Sequence, residues 1–291
     1  MKIIQKRTLR NFLILTIVGF LPGCSSKLES KTEVDSQPSI FNQYSEFVKD
    51  TFYINVQLPN EYYENPDKNY PSVYELDGNF YFPITSPIAH QYENTGLLEP
   101  FILVSIGYKS FQLMDSLRVR DYLYPKSIPS DEMDAIGGGQ NFKKYITNEL
   151  VPKIDSEFRT DKTDRTLFGH SFGGYFVLYA LTDQINKSTD DFKSFISASP
   201  TLWYNNFYLK QLPEKLKNNK ESLNIFLSVG GTEDSTWSIN PVVDISTEIE
   251  KMDLESLNFK SRVYSNLDHM DVGLISFIKG LQELKQPIQK E

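Results

Sequence analysis

Hydrophobic residues follow an ordered pattern from about residue 51 onwards. Phe52, Ile54, Val56 and Leu58 alternate with polar or amphipathic residues, which predicts a half-buried strand near the edge of a sheet. The run FILVSIG at 101–107 is instead continuously apolar, as is typical of a central strand that is covered on both faces. The two patterns therefore predict an edge strand and a central strand of a sheet.

Strand-like and helical segments alternate along the rest of the chain. Further strands are predicted at 71–76, 165–169, 194–199, 224–230 and 259–265. Apolar residues at helical spacing predict helices at 141–154, after residue 172 and around 246–252. Because strands and helices alternate, we predict an α/β fold with a mostly parallel central sheet and helices on both faces. No Pro/Gly/Ser-rich linker interrupts residues 50–285, so we predict a single domain over 45–285.

The first 24 residues have the pattern of an export signal. Four basic residues fall within the first ten positions, and residues 12–21 are almost wholly apolar. About ten apolar residues are too few to span a bilayer, but they fit the core of a signal peptide. The segment ends at Cys24, the only cysteine of the chain, and resembles a bacterial lipoprotein signal. Pro22 is unusual in such a signal, so a plain secretory signal with a chance cysteine is the alternative.

These features predict where the protein resides. We expect Cys24 to be lipidated and to become the mature N-terminus after removal of the signal peptide. The segment 25–44, which is polar up to about Ser39, is then expected to form a flexible tether between the membrane and the domain. The protein is accordingly expected in the cell envelope as a membrane-anchored lipoprotein, on the periplasmic or the outer surface.

Composition and charge argue against other classes of protein. The formal net charge is −8 and no long basic run follows the first ten residues, so nucleic-acid binding is not expected. A single cysteine allows no internal disulfide. The chain has three histidines and no His/Cys spacing that suits zinc, so we predict neither a metal site nor a cofactor.

The clearest chemical signal is the segment GHSFGG at 169–174. Its G-x-S-x-G pattern places Ser171 where a buried strand turns into a helix, as in the nucleophile elbow of the α/β-hydrolase fold. Bulky residues at Gly169 and Gly173 are expected to clash across such a turn, and Gly174 lets the following helix pack closely. The alternative interpretation is a glycine-rich packing turn without a nucleophile.

A serine nucleophile needs a base, and three histidines are available. His170 is adjacent to Ser171, and because neighbouring side chains of an extended backbone point apart, we expect it to be structural. His90 precedes the centre of the predicted sheet, in a loop or at a helix start. His269 follows the last predicted strand, where α/β-hydrolases place their histidine, and is the predicted base.

The acid and the oxyanion hole are expected at the ends of other strands. Glu233 and Asp234 both follow the strand at 224–230; we favour Glu233, and Asp268 is a weaker alternative. The N–H of Phe172 is expected to bind the oxyanion. The second donor is predicted in the Asp-Gly turn after the strand at 71–76, at Gly78 or the adjacent Asn79. The alternative is an ordinary tight turn, in which Asp-Gly is also common.

Together these segments resemble one family. The blocks YPSVYELDGNFYFP, ILVSIGY, RVRDYLYP, RTLFGHSFGGYFVLYAL, SASPTLWYNN, VGGTED and LDHMDV are similar to successive blocks of the esterase D, or putative esterase, branch of the α/β-hydrolases, over about residues 45–280. That branch includes siderophore trilactone esterases, feruloyl and acetylxylan esterases, S-formylglutathione hydrolases and mycolyltransferases. The resemblance implies a Ser171–His269 centre with an acid near Glu233. The acid varies within the branch, and some members work nearly as a Ser–His dyad.

The resemblance also directs attention to residues around the site. Arg118, Arg120 and Asp121 either form a cationic wall for an anionic acyl or catechol group or form a buried ion pair. We assign Arg120 and Trp203 as candidate substrate-binding residues. The resulting prediction is a lipid-anchored serine carboxylic-ester hydrolase that forms an acyl-enzyme on siderophore-type, hydroxycinnamoyl or acetyl esters. The alternatives are an acyltransferase of the same fold and a non-catalytic binding lipoprotein.

Overall fold

The computed structural model describes residues 38–217 and 219–285, and strands and helices alternate through most of this part of the chain. Its strands are β1 (Ser39–Ser45), β2 (Asp50–Gln57), β3 (Tyr70–Glu75), β4 (Ile102–Gly107), β5 (Thr160–His170), β6 (Ser194–Ala198), β7 (Leu223–Gly230) and β8 (Leu257–Tyr264). Its α-helices are α1 (Gly78–Asn94), α2 (Phe111–Tyr122), α3 (Gly139–Tyr145), α4 (Val151–Glu157), α5 (Phe172–Lys187), α6 (Tyr204–Phe207), α7 (Leu212–Leu216), α8 (Asn240–Glu250) and α9 (Asp271–Lys285).

All the strands of the described chain join one sheet, in the order β1-β2-β4-β3-β5-β6-β7-β8. The pairs β1–β2 and β2–β4 are antiparallel, and every later pair is parallel. The elbow strand β5 lies between β3 and β6, at the centre of the parallel part. Because parallel strands end at one edge of a sheet, the segments that follow β3, β5, β6 and β7 meet at that edge.

Apolar residues of the central strands alternate between the two faces of the sheet. On β5, Leu167 belongs to a core with helices α2, α3, α5, α7 and α8, whereas its neighbour Phe168 belongs to a second core with α1 and α9. Both side chains are fully buried. This alternation explains why the central strands are continuously apolar in sequence. The predicted α/β-hydrolase fold with helices on both faces is confirmed.

Two elements differ from the sequence prediction. The predicted tether at 25–44 overlaps β1, which pairs with β2 from Ser39 onwards, so residues 39–44 belong to the sheet and the domain begins earlier than residue 45. The region of His90, predicted as a loop or a helix start, lies inside the 17-residue helix α1. Pro83 and Pro87 lie within that helix, and proline normally interrupts helical patterns, which concealed it in the sequence.

The predicted signal peptide and Cys24 lie outside the described residues, as does most of the predicted tether. Within the described part of the chain, no helix combines the length and the apolar character needed to cross a bilayer.

Candidate active site

Ser171 occupies a strained turn between β5 and α5. Its backbone has φ 61° and ψ −119°, a conformation that residues with a side chain rarely adopt. A Cβ atom added to Gly169 would lie 2.4 Å from the carbonyl oxygen of Gly173, so the turn requires glycine at position 169. A Cβ atom at Gly174 would lie 2.7 Å from the carbonyl oxygen of Ala198, at the end of β6. These glycines therefore permit a sharp turn that presents the Ser171 hydroxyl at the sheet edge.

His269 reaches this hydroxyl from the loop after β8. Its Nε2 lies 3.0 Å from Ser171 Oγ, and about two fifths of its side chain is exposed to solvent. Since Nε2 accepts the hydroxyl proton, the neutral ring carries its own proton on Nδ1. The imidazole is thus placed to remove the proton of Ser171.

Glu233 lies behind the imidazole, and its side chain is only 3% exposed. Its Oε2 lies 2.8 Å from His269 Nδ1, while Oε1 accepts the N–H of Gly230 at 2.8 Å. Burial alone raises the pKa of this carboxyl, but hydrogen bonds from His269, Ser199 and the Gly230 N–H outweigh it and hold the pKa below its usual value. Glu233 is therefore an anion that orients His269.

The alternative acids have other roles in the structure. Asp234 Oδ1 accepts the N–H groups of Thr236 and Trp237 at 2.8 Å each and so caps the next helical turn. Asp268 Oδ1 accepts the N–H groups of Met270 and Asp271. Of the three candidates, Glu233 is the one whose carboxylate contacts His269.

The other two histidines differ in their relation to the site. His90 Nε2 donates to the carbonyl oxygen of Leu58 at 2.8 Å, on the sheet face covered by α1. His170 is buried, as expected for a structural residue, but its ring does reach the site: Nε2 donates to the main-chain carbonyl of His269 at 2.6 Å. Burial, reinforced by the His269 and Arg118 charges, lowers the pKa of His170 to about 3. It is thus a neutral tether for the loop that carries His269.

The predicted oxyanion donors lie at the starts of two helices. Phe172 is the first residue of α5 and Gly78 the first residue of α1, and the first N–H groups of a helix have no partner within it. Asp77, which precedes Gly78, has a backbone φ of 55°. Its carboxylate oxygen Oδ2 would lie 3.3 Å from a Cβ atom added to Gly173. The turn after β3 therefore packs directly against the elbow, and because β3 and β5 are parallel neighbours, both helices begin at the same edge of the sheet.

A salt bridge fixes this turn. Arg118 binds both carboxylate oxygens of Asp77, with Nε to Oδ1 at 2.9 Å and Nη2 to Oδ2 at 2.8 Å. Its Nη2 also donates to the main-chain carbonyl of His170 at 3.0 Å. A bidentate guanidinium is rigid, so Arg118 locks the turn of Asp77 to the residue that precedes Ser171.

A cleft of about 190 Å³ opens beside Ser171 and His269. Its walls are mostly aromatic and apolar, with carboxylate, guanidinium and imidazole groups among them. Besides Ser171 and His269 it is lined by Asp77, Phe80, Tyr81, Phe111, Met114, Asp115, Arg118, His170 and Met270. In the described part of the chain, no three His, Cys, Asp or Glu side chains are grouped to hold a metal ion.

The two predicted substrate-binding residues lie elsewhere, and neither is among the described residues that line this cleft. Arg120 binds Asp121 Oδ1 at 2.7 Å and Asp50 Oδ2 at 2.8 Å, so the ion-pair alternative is correct for this residue. Trp203 packs against the core instead, at the start of α6. The arginine that lines the cleft is Arg118, two positions from Arg120 along α2 and therefore on another side of the helix.

Sequence reasoning missed Ser199, whose hydroxyl contacts Glu233 and His269. One signal could have found it. Ser199 directly follows β6, the neighbour of the elbow strand, so the rule that parallel strands end at one edge places it beside the segment after β7. The apolar lining from Phe111 and Met114 had no comparable signal, because α2 is polar along much of its length.

Comparison with known proteins identifies the family to which this chain belongs. Residues 45–268 match the family model described as putative esterase. The chain is 32% identical over 198 residues to ferri-bacillibactin esterase BesA of Bacillus subtilis, covering 63% of this chain and 66% of that protein. It is 31% identical over 146 residues to apo-salmochelin esterase of Escherichia coli O6:H1, covering 47% of this chain and 43% of that protein. The chain thus spans less than two thirds of the length of either relative.

A solved structure has a similar fold over nearly the whole chain. The crystal structure of BES protein from Bacillus cereus superposes with a TM-score of 0.77 at 26% identity, covering 90% of this chain and 100% of that one. From its sequence blocks, its sheet and its match to the family model, the chain belongs to the putative esterase family of the α/β-hydrolase superfamily.

Proposed function

We propose that this protein is a serine carboxylic-ester hydrolase that works through an acyl-enzyme. The observation that carries the proposal is the continuous series Ser171 Oγ, His269 and Glu233, with distances of 3.0 and 2.8 Å, on a strained elbow. A binding protein has no need for a hydroxyl held against an imidazole that is itself oriented by a buried carboxylate.

The chemistry follows from the positions of these groups. His269 Nε2 takes the Ser171 proton as Oγ attacks the ester carbonyl, and the N–H groups of Phe172 and Gly78 stabilise the oxyanion. The intermediate collapses, the carbon–oxygen bond to the alcohol breaks, and His269 returns the proton to the leaving alcohol. Water then attacks the acyl-enzyme with His269 as base, and the acid and free Ser171 are regenerated. Glu233 stabilises the imidazolium in both steps.

We favour siderophore-type esters as substrates over hydroxycinnamoyl or acetyl esters. The relatives above carry names of siderophore esterases, one for a ferric and one for an iron-free siderophore. The cleft offers an aromatic and apolar wall from Phe80, Phe111 and Met114, which suits an aryl-bearing ester. Arg118 is engaged by Asp77, so aromatic contacts rather than a free cation are expected to select the substrate.

The test is hydrolysis of p-nitrophenyl acetate and butyrate by the purified full-length protein in detergent. Ser171→Ala and His269→Ala are each expected to remove turnover while the circular dichroism spectrum is unchanged. Ser156→Ala, an exposed serine on α4, is the matched control and should keep wild-type activity. Full turnover by a folded Ser171→Ala variant would refute the mechanism.

The natural acyl group requires a second comparison. Turnover of a catechol–serine trilactone is expected to exceed that of methyl ferulate. The reverse order would favour a polysaccharide-ester role. A fluorophosphonate probe should label the wild-type protein but not Ser171→Ala. Such labelling in the absence of ester turnover would indicate a narrowly selective esterase, whereas an unlabelled wild-type protein would indicate a binding protein.

Anchoring at Cys24 is a further part of the proposal, and it is supported by the sequence of residues 1–24. Metabolic labelling of a bacterial host with an alkyne-tagged fatty acid should label the wild-type protein, and Cys24→Ser should abolish the label. A wild-type protein that remains unlabelled would indicate the plain secretory signal instead.

A further inference from the structure

Ser199 occupies a strained and fully enclosed position behind the candidate catalytic residues. It follows the last residue of β6, its backbone φ is +39°, and it is 2% exposed. Its N–H donates to the carbonyl oxygen of Ser228 at 2.7 Å, which fixes the main chain against β7. A residue with a side chain in this conformation costs on the order of 1 kcal/mol or more, so the surroundings hold it there.

The Ser199 hydroxyl lies between the acid and the base. Its Oγ is 2.7 Å from Glu233 Oε1, 2.6 Å from Glu233 Oε2 and 3.0 Å from His269 Nδ1. No comparable contact links another hydroxyl to both groups in the described part of the chain.

The protons available allow one arrangement. His269 Nε2 faces the Ser171 hydroxyl, so the proton of the neutral ring is on Nδ1 and points towards Glu233 Oε2 and Ser199 Oγ. A carboxylate only accepts hydrogen bonds, so the hydroxyl proton of Ser199 goes to Glu233. Ser199 Oγ therefore accepts from the imidazole and donates to the carboxylate.

We propose that Ser199 is a positioning residue that holds Glu233 and His269 in their reactive geometry, an inference that rests on the proposed esterase function. The Ser199 hydroxyl points its oxygen at the imidazole and its hydrogen at the carboxylate. It therefore stabilises both the positive charge of protonated His269 and the negative charge of Glu233. If Glu233 is lost, Ser199 Oγ is the acceptor that remains at hydrogen-bonding distance for the Nδ1 proton.

The first test replaces the hydroxyl in two ways. Ser199→Ala removes it, and Ser199→Gly removes it while also relieving the backbone strain. Loss of a hydrogen bond to a charged group is expected to lower kcat by about tenfold to hundredfold in both variants, with KM unchanged. The matched control is Ser228→Ala, a buried serine on β7 whose hydroxyl pairs with Ser276. Wild-type kcat in a folded Ser199→Ala or Ser199→Gly variant would contradict the proposal.

A double-variant cycle tests the second role. Glu233→Ala is expected to retain a residual activity, and Glu233→Ala with Ser199→Ala should be lower still, because the last acceptor for the Nδ1 proton is gone. Equal activity of the single Glu233→Ala and the double variant would show that Ser199 acts only through Glu233 and would remove the back-up role.

The proton resonance of His269 separates a positioning role of Ser199 from a structural one. The turnover of Ser171→Ala separates failure of this inference from failure of the proposed function. The low-field proton resonance of His269 Nδ1–H should move in Ser199→Ala and stay in place in Ser228→Ala, although each variant loses one buried hydrogen bond and both remain folded. An unmoved resonance would argue against the contact. If Ser171→Ala keeps wild-type turnover, the esterase proposal itself fails. If Ser171→Ala is inactive but Ser199→Ala keeps wild-type turnover, only the positioning proposal fails.

Discussion

Two buried glutamates near the same sheet edge have opposite acid–base properties. Glu75 ends β3 and is fully buried; burial raises its pKa to about 8. Glu233 follows β7, and its side chain is almost as buried, yet its pKa lies below the usual value. The surroundings account for the difference. Complete burial of Glu75 outweighs the hydroxyl groups of Ser105 and Thr85, which lower its pKa, and the negative charge of Asp77 also acts against ionisation.

Glu233 instead has donors on both oxygens and an imidazole as partner. The Gly230 N–H, the Ser199 hydroxyl and His269 Nδ1 all contact its carboxylate. The comparison teaches that burial with neutral hydroxyl donors leaves a carboxyl protonated, whereas burial with a main-chain N–H, a hydroxyl and an imidazole makes it an oriented anion. Under the proposed function, the first arrangement serves the fold and the second serves the reaction.

The largest expected effect comes from removing the charge of Glu233. Glu233→Gln keeps the shape of the side chain but offers an amide donor to His269 Nδ1, which favours the wrong tautomer. By analogy with serine-protease triads, kcat should fall by about 10³- to 10⁴-fold in steady-state ester hydrolysis. Asp234→Asn, the neighbouring carboxylate that caps a helical turn, is the control and should stay near wild type. A Glu233→Gln variant as active as this control would indicate a Ser–His dyad.

A smaller effect is expected from Glu75, and it should be seen in stability rather than turnover. Between pH 4.5 and about 8 the folded protein keeps the Glu75 proton that the unfolded chain releases. The folded state then binds more protons, so this group makes stability fall as pH rises through that window. Glu75→Gln cannot titrate and loses this dependence.

Urea unfolding at pH 5, 6, 7 and 8 measures the effect. The free energy of unfolding of Glu75→Gln relative to wild type should rise with pH, by at most about 1.4 kcal/mol for each pH unit. Parallel pH profiles for the two proteins would mean that Glu75 is ionised in the fold and that the contrast with Glu233 is wrong.

The smallest expected effect concerns the donor to Glu75. Ser105→Ala removes the 2.7 Å hydrogen bond to Oε1 and should destabilise the protein by about 1 kcal/mol in urea unfolding at pH 6. Because that bond lowers the pKa of Glu75, its loss should also move the pH at which Glu75 ionises upwards. A variant with unchanged stability would show that Ser105 contributes nothing to holding the neutral acid.

The sequence contained enough to place the three central residues. Ser171, Glu233 and His269 each follow a strand of a parallel sheet, and chain order together with glycine spacing restricted the choice. The sheet itself was predictable because its central strands are continuously apolar. The choice of Glu233 over Asp234 was less secure, since two adjacent carboxylates differ only in direction, and the cap at Asp234 is visible only in three dimensions.

Other features depend on contacts that the sequence does not encode locally. Arg118 and Arg120 are two positions apart on α2, and tertiary packing decides which of them faces Asp77. Residues 39–44 are a short stretch that follows a polar segment, and pairing with β2 makes them a strand. Ser199 was overlooked because a serine before a proline usually indicates a loop, although its position directly after β6 places it at the same sheet edge.

The pairing of Arg118 with Asp77 has a consequence for how fast substrates arrive. The guanidinium at the cleft is neutralised, the exposed carboxylate of Asp115 lies beside it, and the whole chain carries a net charge of −8. An anionic ester therefore approaches against a repulsive field, which dissolved salt screens over a distance of about 8 Å at physiological ionic strength. Under the proposed function, raising ionic strength should speed the encounter with anionic esters and leave the encounter with neutral esters unaffected.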